Sequence, residues 1–390
     1  MIAYCLPLTK AAVGSGSPVE RVEVLALGPD LPRHAYTGHL PAPFTTSTVV
    51  RVTDRDGVIG LGQFDSDSYG AFDLAPLETL RTLAPRLIGR DPSNRVAVWD
   101  EIRDQGNAPD MPGVRSALDI ALWDLAARRS GRPLHHLIVP GHDHDRLPAY
   151  ASLPTLGSPE AYADEVVRRR AEGYTAVKIH AWGEPDRDLE AMGAARDAVA
   201  DMTLIYDGEG AFDRASAERM VGGLGDLEVR WFEAPLPDLD LEGYRALVRR
   251  GRVPIVPAGD AIWDPRLLRE IVRDPPWSAM RFDVTFAGGI TSAIRLFDVA
   301  AAHDLPVEVT SYGQTLVQSA NLHVMLAFGR TSFFERAVPS EEFGFGVTTP
   351  ITMDAAGTVG ALDAPGLGVT LDDDAIASAV LASFGVDASG

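Results

Sequence analysis

Acidic residues recur along this chain at nearly one spacing, and they are its first sign of chemistry. Asp207 and Glu233 are 26 residues apart, Glu233 and Asp260 are 27 apart, and each follows a short apolar stretch. Carboxylates held on a rigid frame are the ligands that a hard divalent cation such as Mg²⁺ requires. Such a cation can bind a substrate carboxylate and stabilise the enolate that forms when the α-proton leaves. The regular spacing favours a magnesium site over the alternative for any single acid, a solvated strand end.

Lys178 and His180 stand two residues apart in the apolar stretch 176–181, which precedes the stretch that ends at Asp207. Residues two apart in a strand point to the same side, so both side chains are expected beside the carboxylates. A histidine has a reference pKa near ~6.5, which suits proton abstraction near neutral pH, and an adjacent ammonium is expected to favour its neutral form. We interpret His180 as a base; the alternative is a structural histidine bonded to the backbone.

The elements that must position these residues are read from the chain after about residue 145. Short apolar strands there each end in a polar residue and are followed by a helix and a Gly- or Pro-bearing loop. The strand ends of a parallel barrel lie on one face, so side chains distant in sequence converge there. The predicted strands are 147–152, 176–181, 203–207, 229–233, 253–259, 280–283, 307–311 and 332–335.

The first part of the chain has a different pattern. Alternating residues predict strands at 19–27, 45–52 and 58–64, with a turn at 54–57. Helical spacing begins at Leu77 and leads to a helix over 114–129 that Gly131 and Pro133 stop. The first barrel helix carries its own signals: Ser158 as N-cap, Pro159 at its first position and Gly173 past its end.

Composition limits the class of protein. The 390 residues, of which 46% are hydrophobic and 23% charged, predict two folded domains. A formal net charge of -20 disfavours nucleic acid and anionic membranes as partners. A lone cysteine, Cys5, excludes an internal disulfide framework, and no leader or membrane-spanning segment is evident. These features predict a cytoplasmic protein.

Several stretches resemble the mandelate racemase and muconate lactonizing group of the enolase superfamily. They are VRSALDIALWDL at 114–125, VKIH at 177–180, WFEAPL at 231–236, and Asp283 followed by GGIT at 288–291. The resemblance covers essentially the whole chain. It implies an α/β fold with a (β/α)7β TIM-like barrel at 141–365 and an N-terminal α+β capping domain at 1–140. The tail at 366–390 is expected to pack back on the capping domain.

The resemblance also implies roles for the polar residues of the barrel. One Mg²⁺ per active site would be held by Asp207, Glu233 and Asp260, with His180 as base or acid and Lys178 assisting it. Glu335, at the eighth strand end, matches a position that binds the substrate carboxylate in the racemase. The alternative for Glu335 is a surface charge paired with Arg336.

Two departures from the family pattern concern the metal. Asp260 replaces the usual glutamate and is one methylene shorter, while Glu209 stands where asparagine is common and could supply the missing reach. The same pair permits the opposite interpretation, a weakened site in a barrel that binds a ligand without turnover.

Two further departures concern proton transfer. His180 replaces the second lysine of the family's Lys-x-Lys motif. The racemase also has a histidine at the seventh strand end, oriented by a sixth-strand aspartate; here Asp283 remains, but the seventh strand brings Tyr312, a proton donor or a pocket wall.

A single base favours dehydration of a carboxylate substrate such as a hydroxy or sugar acid, with an epimerase, racemase or cycloisomerase as the alternative. Capping loops near His34, Tyr36, His39 and 65–69 are expected to set specificity. The family implies a homo-oligomer, either a dimer or an octamer.

Overall fold

The computed structural model describes residues 17–104, 112–142, 144–180 and 182–389. Its strands are β1 Val19–Leu27, β2 Phe44–Asp54, β3 Ile59–Ser68, β4 Arg146–Leu153, β5 Ala176–His180, β6 Thr203–Asp207, β7 Phe232–Glu233, β8 Ile255–Val256, β9 Met280–Phe282, β10 Val307–Val309, β11 Phe334–Ala337, β12 Thr358–Gly360 and β13 Val380–Asp387.

Helices surround or connect these strands. They are α1 Ala75–Leu83, α2 Arg95–Asp104, α3 Pro112–Ser130, α4 Leu134–Ile138, α5 Pro159–Ala171, α6 Pro185–Ala198, α7 Arg214–Asp226, α8 Leu241–Arg250, α9 Pro265–Ile271, α10 Ile290–Ala302, α11 Thr315–Phe328 and α12 Asp373–Ala379. Short 3-10 turns occupy Ala84–Leu87, Pro92–Asn94 and Ser340–Phe343. Among the described residues, no helix is both long and apolar enough to cross a membrane.

The capping sheet is antiparallel, with strand order β13-β1-β2-β3. Strand β13, near the C-terminus, therefore pairs with β1, and Val22 lies between Val52 and Val386. Helix α3 lies very close to β3, since a Cβ on Gly62 would stand 2.0 Å from the Ala117 carbonyl oxygen. Only glycine permits that approach. The domain boundaries near residues 140 and 365 stay predictions.

The barrel is parallel. Strands β11, β4, β5, β6, β7 and β8 pair in that order, and β9 pairs with β10. Ser278 N–H donates to Ile255 O at 2.8 Å where β8 meets β9. Ser311 Oγ donates to Glu335 O at 2.7 Å where β10 meets β11. The predicted α/β fold is confirmed, and each predicted barrel strand has its counterpart, although position 181 lies outside the described residues.

The predicted strand at 253–259 is much shorter than expected. Only Ile255–Val256 pairs as strand, because Pro254 and Pro257 flank it and proline has no N–H for the ladder. By contrast, the signals around α5 are confirmed. Ser158 Oγ accepts the Ala161 N–H at 3.3 Å, and Gly173 beyond the helix has a φ of 99°.

The inside of the barrel is built in layers. A buried apolar floor is formed by Tyr150, Ala176, Ile205, Trp231, Val256 and Ala279, with Phe333 packed against it. Two positions later on the same strands, on the same side of each, come Ser152, Lys178, Asp207, Glu233, Ala258, Arg281 and Glu335. The residues of this second layer all line one cavity at the carboxyl ends of the strands.

Candidate active site

The cavity has a volume of about 630 Å³ and is lined in part by the capping domain. The barrel supplies the layer of polar residues just described. The capping domain contributes Tyr36, Thr37, Pro41, Pro43, Asp67 and Tyr69. Of the capping residues expected to set specificity, Tyr36, Asp67 and Tyr69 line this cavity, whereas His34 pairs with Glu342 at 2.6 Å and His39 is exposed. That these loops set specificity stays a prediction.

Lys178 lies at the centre of the polar layer. Its Nζ is 2.9 Å from Asp207 Oδ2, 2.8 Å from Glu233 Oε1 and 2.9 Å from Glu335 Oε1. Burial alone would lower the pKa of Lys178, but Glu233 and Glu335, with smaller contributions from neighbours, raise it well above its ordinary value. Lys178 is therefore a fixed cation at neutral pH.

Glu335 lies inside the barrel rather than at its surface. Its Oε2 is 3.0 Å from Arg281 Nη2, and its side chain is only 3% exposed. Burial would raise the pKa of Glu335, but the charges of Lys178 and Arg281 hold it at about 2. Arg336 instead donates to Ile351 O, so the alternative of a surface pair between Glu335 and Arg336 is wrong.

Arg281 is a polar residue that the sequence analysis missed. Its Nη2 also contacts Glu233 Oε1 at 2.8 Å, while its Nε and Nη1 are buried without a hydrogen-bond partner in the described part of the chain. An arginine inside the apolar strand β9, two residues before Asp283, was the available signal. The two unused donors are suited to an anionic or hydroxylated ligand.

His180 presents one defined nitrogen to the cavity. Its Nδ1 donates to Leu153 O at 2.7 Å, so Nε2 faces Asp207 Oδ2 at 3.2 Å and Glu209 Oε1 at 3.3 Å. Burial would lower the pKa of His180, but Asp207 and Glu209 outweigh it and raise the pKa to about 10. Lys178 does lower the pKa of His180, as expected, but the two carboxylates at Nε2 outweigh it.

The acidic residues share the cavity but not one cluster. Donor atoms of His180, Asp207 and Glu209 lie within 4.8 Å of one another, and Glu209 N–H donates to Asp207 Oδ1 at 3.0 Å. Glu233 and Asp207 both pair with Lys178 Nζ. Glu233 Oε2 also accepts the Trp231 Nε1–H at 3.0 Å. Asp260 lies on the cavity wall beyond β8.

The loop that carries Asp260 is held by another aspartate, also missed in the sequence. Asp238 accepts the backbone N–H groups of residues 258–261, at distances of 2.9 to 3.2 Å. Burial, and then the neighbouring charge of Asp238, raise the pKa of the Asp260 carboxyl to about 6. The backbone that carries Asp260 is thus held in place, and among the described residues its carboxylate forms no ion pair.

Charge balance indicates that these residues fit a divalent cation. The cavity wall carries carboxylates of Asp67, Asp207, Glu209, Glu233, Asp238, Asp260 and Glu335 against the cations of Lys178 and Arg281 and the imidazole of His180. Buried carboxylates in excess of their counter-ions are costly unless a cation is bound. Oxygen donors of this kind are those that Mg²⁺ prefers.

The part of the wall next to His180 offers phenols. The ring of Tyr36 lies 5.1 Å from that of His180 and 5.2 Å from that of Tyr312. Burial raises the pKa of Tyr312 well above its ordinary value, and the same holds for Tyr36. Both phenols stay protonated at neutral pH and are poor bases.

Asp283 is not brought into the cavity with the others. Its Oδ1 accepts the Thr285 N–H and hydroxyl at 2.5 Å each, and its Oδ2 accepts Asn321 Nδ2–H at 2.9 Å. Burial raises the pKa of Asp283 to about 7. With these partners, Asp283 holds the turn after β9 rather than facing a substrate.

Comparison with known proteins agrees with this architecture. Residues 161–375 match the enolase C-terminal domain-like family, and residues 41–139 match the N-terminal domain of the mandelate racemase / muconate lactonizing enzyme family. The chain belongs to this family, and it is an enzyme of the enolase superfamily, whose members are metal-dependent lyases and isomerases. The alternative of a barrel without turnover is therefore dropped.

Individual relatives differ in reaction. The chain is 27% identical over 333 residues to a cis-3-hydroxy-L-proline dehydratase from Roseibium aggregatum, covering 83% of this chain and 88% of that one. It is 24% identical over 368 residues to an N-succinyl-L-Arg/Lys racemase from Bacillus cereus, covering 88% and 95%. The family is thus shown, while the particular reaction is not.

Solved structures share the whole fold. A mandelate racemase/muconate lactonizing enzyme-like protein from Pseudovibrio sp. superposes with a TM-score of 0.91 at 31% identity, covering 95% of this chain and 99% of that one. A mutant of the L-talarate/galactarate dehydratase from Salmonella typhimurium, liganded with Mg and L-glucarate, superposes at 0.84 with 22% identity, covering 97% and 96%.

Proposed function

We propose that this chain is a Mg²⁺-dependent dehydratase of a small carboxylate substrate such as a hydroxy or sugar acid. The observation that carries the proposal is that the cavity wall presents one proton-transfer nitrogen, His180 Nε2, whereas Tyr312, just beyond β10, and Tyr36 beside it are protonated phenols. Racemisation needs a base on each face of the substrate, but dehydration needs one.

The metal would be held by Asp207, Glu233 and Asp260, with Glu209 as a further ligand. When bound, Mg²⁺ supplies a Lewis acid that binds the substrate carboxylate and stabilises the charge of the enolate. The excess of carboxylates in the cavity supports this assignment, as does the Mg-bound dehydratase of the same fold.

The protein's own residues supply the proton transfers. A cation bound to Asp207 and Glu209 would offset the two charges that raise the pKa of His180, which leaves its imidazole neutral. His180 Nε2 then takes the α-proton, and the hydrogen bond from its Nδ1 to Leu153 O fixes which nitrogen acts. The imidazolium then returns the proton to the β-hydroxyl, the C–O bond breaks, water leaves and a carbon–carbon double bond remains. Lys178 and Arg281 hold the substrate carboxylate end, and Glu335 orients these two cations.

A screen in deuterated water tests the reaction. Hydroxy acids, sugar acids and hydroxylated amino acids are incubated with enzyme and Mg²⁺, and mass spectrometry detects loss of water or gain of deuterium. Loss of water that EDTA abolishes and Mg²⁺ restores is expected. Exchange at the α-carbon without loss of water would contradict the proposal and favour an epimerase, a racemase or a cycloisomerase.

The metal assignment has its own variant. Glu233→Gln is expected to weaken Mg²⁺ binding, measured by calorimetry; unchanged affinity would remove Glu233 from the ligand set.

A cytoplasmic homo-oligomer, dimer or octamer, belongs to the same proposal, and light scattering on the purified protein decides the oligomeric state.

A further inference from the structure

Histidines collect at a second place in the molecule. Of the nine in the chain, His135 and His136 lie on α4, His142 and His144 lie in the segment before β4, and His323 lies on α11. This segment enters the barrel at the amino end of β4, whereas the active site lies at the carboxyl ends of the strands. The group is therefore separate from the active site.

Three of these rings converge. His135, His136 and His142 each offer a nitrogen, and the three nitrogens lie within 4.8 Å of one another. The ring centroids are 4.2 Å apart for His135 and His136, 4.7 Å for His136 and His142, and 5.0 Å for His135 and His142. Bound to Zn²⁺ at Zn–N distances of about 2.0–2.1 Å, such nitrogens would lie about 3.3 Å apart, so modest ring rotations bring them to coordination.

His323 fixes the orientation of the innermost ring. Its Nδ1 accepts the backbone N–H of His135 at 3.2 Å and therefore carries a lone pair on that side. The Nδ1–H of His135 donates to the same nitrogen at 2.8 Å. The Nε2 of His135 is then left with its lone pair free. Metal-binding histidines are commonly oriented by such a hydrogen bond from the other ring nitrogen.

His142 adds an observation that points to a ligand. Both of its ring nitrogens are buried and lack a hydrogen-bond partner among the described residues. Buried polar groups are normally hydrogen-bonded, so an unpartnered buried imidazole indicates a missing ligand such as a metal ion.

A carboxylate lies next to the histidines. Asp298 lines a small cavity of about 60 Å³ together with His142 and His144, and its Oδ1 is buried without a partner among the described residues. A bound cation would compensate this buried oxygen. Imidazoles supported by one carboxylate suit Zn²⁺ and similar transition ions rather than Mg²⁺.

We propose that His135, His136 and His142 form a second metal site, for Zn²⁺ or a similar transition ion, at the amino end of the barrel. The site joins α4, which leads from the capping domain, to the segment that enters β4, and His323 of α11 supports it. Its role is structural: a bound ion links α4 to the segment that enters β4.

The test is Zn²⁺ affinity, measured on untagged, chelator-treated protein by competition with a chromophoric chelator in the presence of millimolar Mg²⁺. The wild type is compared with His142→Ala, with His136→Ala, and with His39→Ala as a control at an exposed histidine. Asp207→Asn, which alters the active site, is the second control. Far-UV circular dichroism confirms that each variant is folded.

One tightly bound Zn²⁺ is expected in the wild type, His39→Ala and Asp207→Asn, with affinity reduced by about 100-fold or more in His142→Ala and His136→Ala. Co²⁺ should give visible absorption bands of nitrogen-rich coordination that the two site variants lose. Equal Zn²⁺ affinity in wild type and His142→Ala, or loss of tight binding in Asp207→Asn alone, would overturn the proposal. So would a wild type that binds no Zn²⁺ in competition with the chelator.

Discussion

At the residue scale, the position of His180 makes one variant especially informative. Asparagine at this position can still donate from Nδ2 to Leu153 O, as His180 Nδ1 does, but it has nothing in place of Nε2. We expect His180→Asn to lower kcat by about 10²–10⁴-fold, the usual contribution of a general acid–base group, with Mg²⁺ affinity nearly unchanged. Single-turnover kinetics and calorimetry measure the two quantities. Wild-type kcat in the variant would remove His180 from the mechanism.

The buried guanidinium of Arg281 permits a stability test at the same scale. It pairs with Glu233 and Glu335, and these side chains are 2–4% exposed. Removing one partner of a buried pair leaves an uncompensated charge, so Arg281→Met should lower the free energy of unfolding by about 3–5 kcal/mol. Urea unfolding measures this.

Arg250→Met is the matched control for Arg281→Met. Arg250 pairs with Glu218 at the surface with side chains 56% and 42% exposed, and such pairs contribute no more than about 1 kcal/mol. Equal effects of the two substitutions would mean that the buried network contributes no more than a surface pair.

At the scale of elements, Asp238 decides the conformation of the loop after β8. It accepts the N–H groups of residues 258–261. Hydrogen bonds to a charged group contribute about 1.5–3 kcal/mol each, so Asp238→Ala should cost about 3 kcal/mol or more and displace Asp260. Mg²⁺ affinity should fall with it.

Asp240→Ala provides the comparison for the Asp238 variant. Asp240 is the N-cap of α8, where removal of a cap costs about 1 kcal/mol, and it does not hold the Asp260 loop. Calorimetry on both variants separates general loss of stability from loss of the loop. Unchanged Mg²⁺ affinity in Asp238→Ala would separate Asp260 from the metal site.

Elements also show what the sequence could and could not predict. The positions of Asp207 and Glu233 were predictable because a spacing of one βα unit places both at the carboxyl ends of barrel strands, on one face of the barrel. Arg281 was missed because its partner Glu335 is 54 residues away, so nothing local explains a charge in that strand. The loop of Asp260 was missed because its conformation depends on an aspartate about 20 residues earlier.

At the scale of the whole molecule, two of the stretches that resemble the family, 114–125 and 288–291, form one contact between the domains. Asp119 of α3 accepts the Thr291 hydroxyl at 2.6 Å and the Thr291 N–H at 2.9 Å, and Trp123 Nε1 donates to the same hydroxyl at 2.9 Å. The capping domain is thereby fastened to α10 of the barrel. Sequence resemblance identified both stretches, but only the fold shows that they touch.

This contact should give stability a pH dependence. Burial raises the pKa of Asp119 to about 6, opposed by the hydrogen bonds from Thr291. Because the pKa is higher in the folded than in the unfolded chain, its contribution to stability is present at low pH and is lost as pH rises from about 4 through 6. Relative to wild type, Asp119→Asn should therefore gain about 2–3 kcal/mol in unfolding free energy between pH 4 and pH 7.5.

Asp119→Ala completes the test of this contact. It removes the same titration and also the hydrogen bonds to Thr291, so it should be less stable than Asp119→Asn at every pH but follow the same trend. Denaturant unfolding at several pH values measures both. A constant difference between wild type and both variants would show that Asp119 does not titrate differently in the folded protein.

The pairing of β13 with β1 bears on how a ribosome makes this protein. Strand β1 is among the first residues to leave the ribosome, but its neighbour β13 is synthesised some 350 residues later, after the whole barrel. Until then one edge of β1 has unpaired backbone N–H and C=O groups, which can pair with strands of other chains. A product truncated before residue 380 would keep that edge permanently, so we expect premature termination to yield aggregates even though every active-site residue has been made.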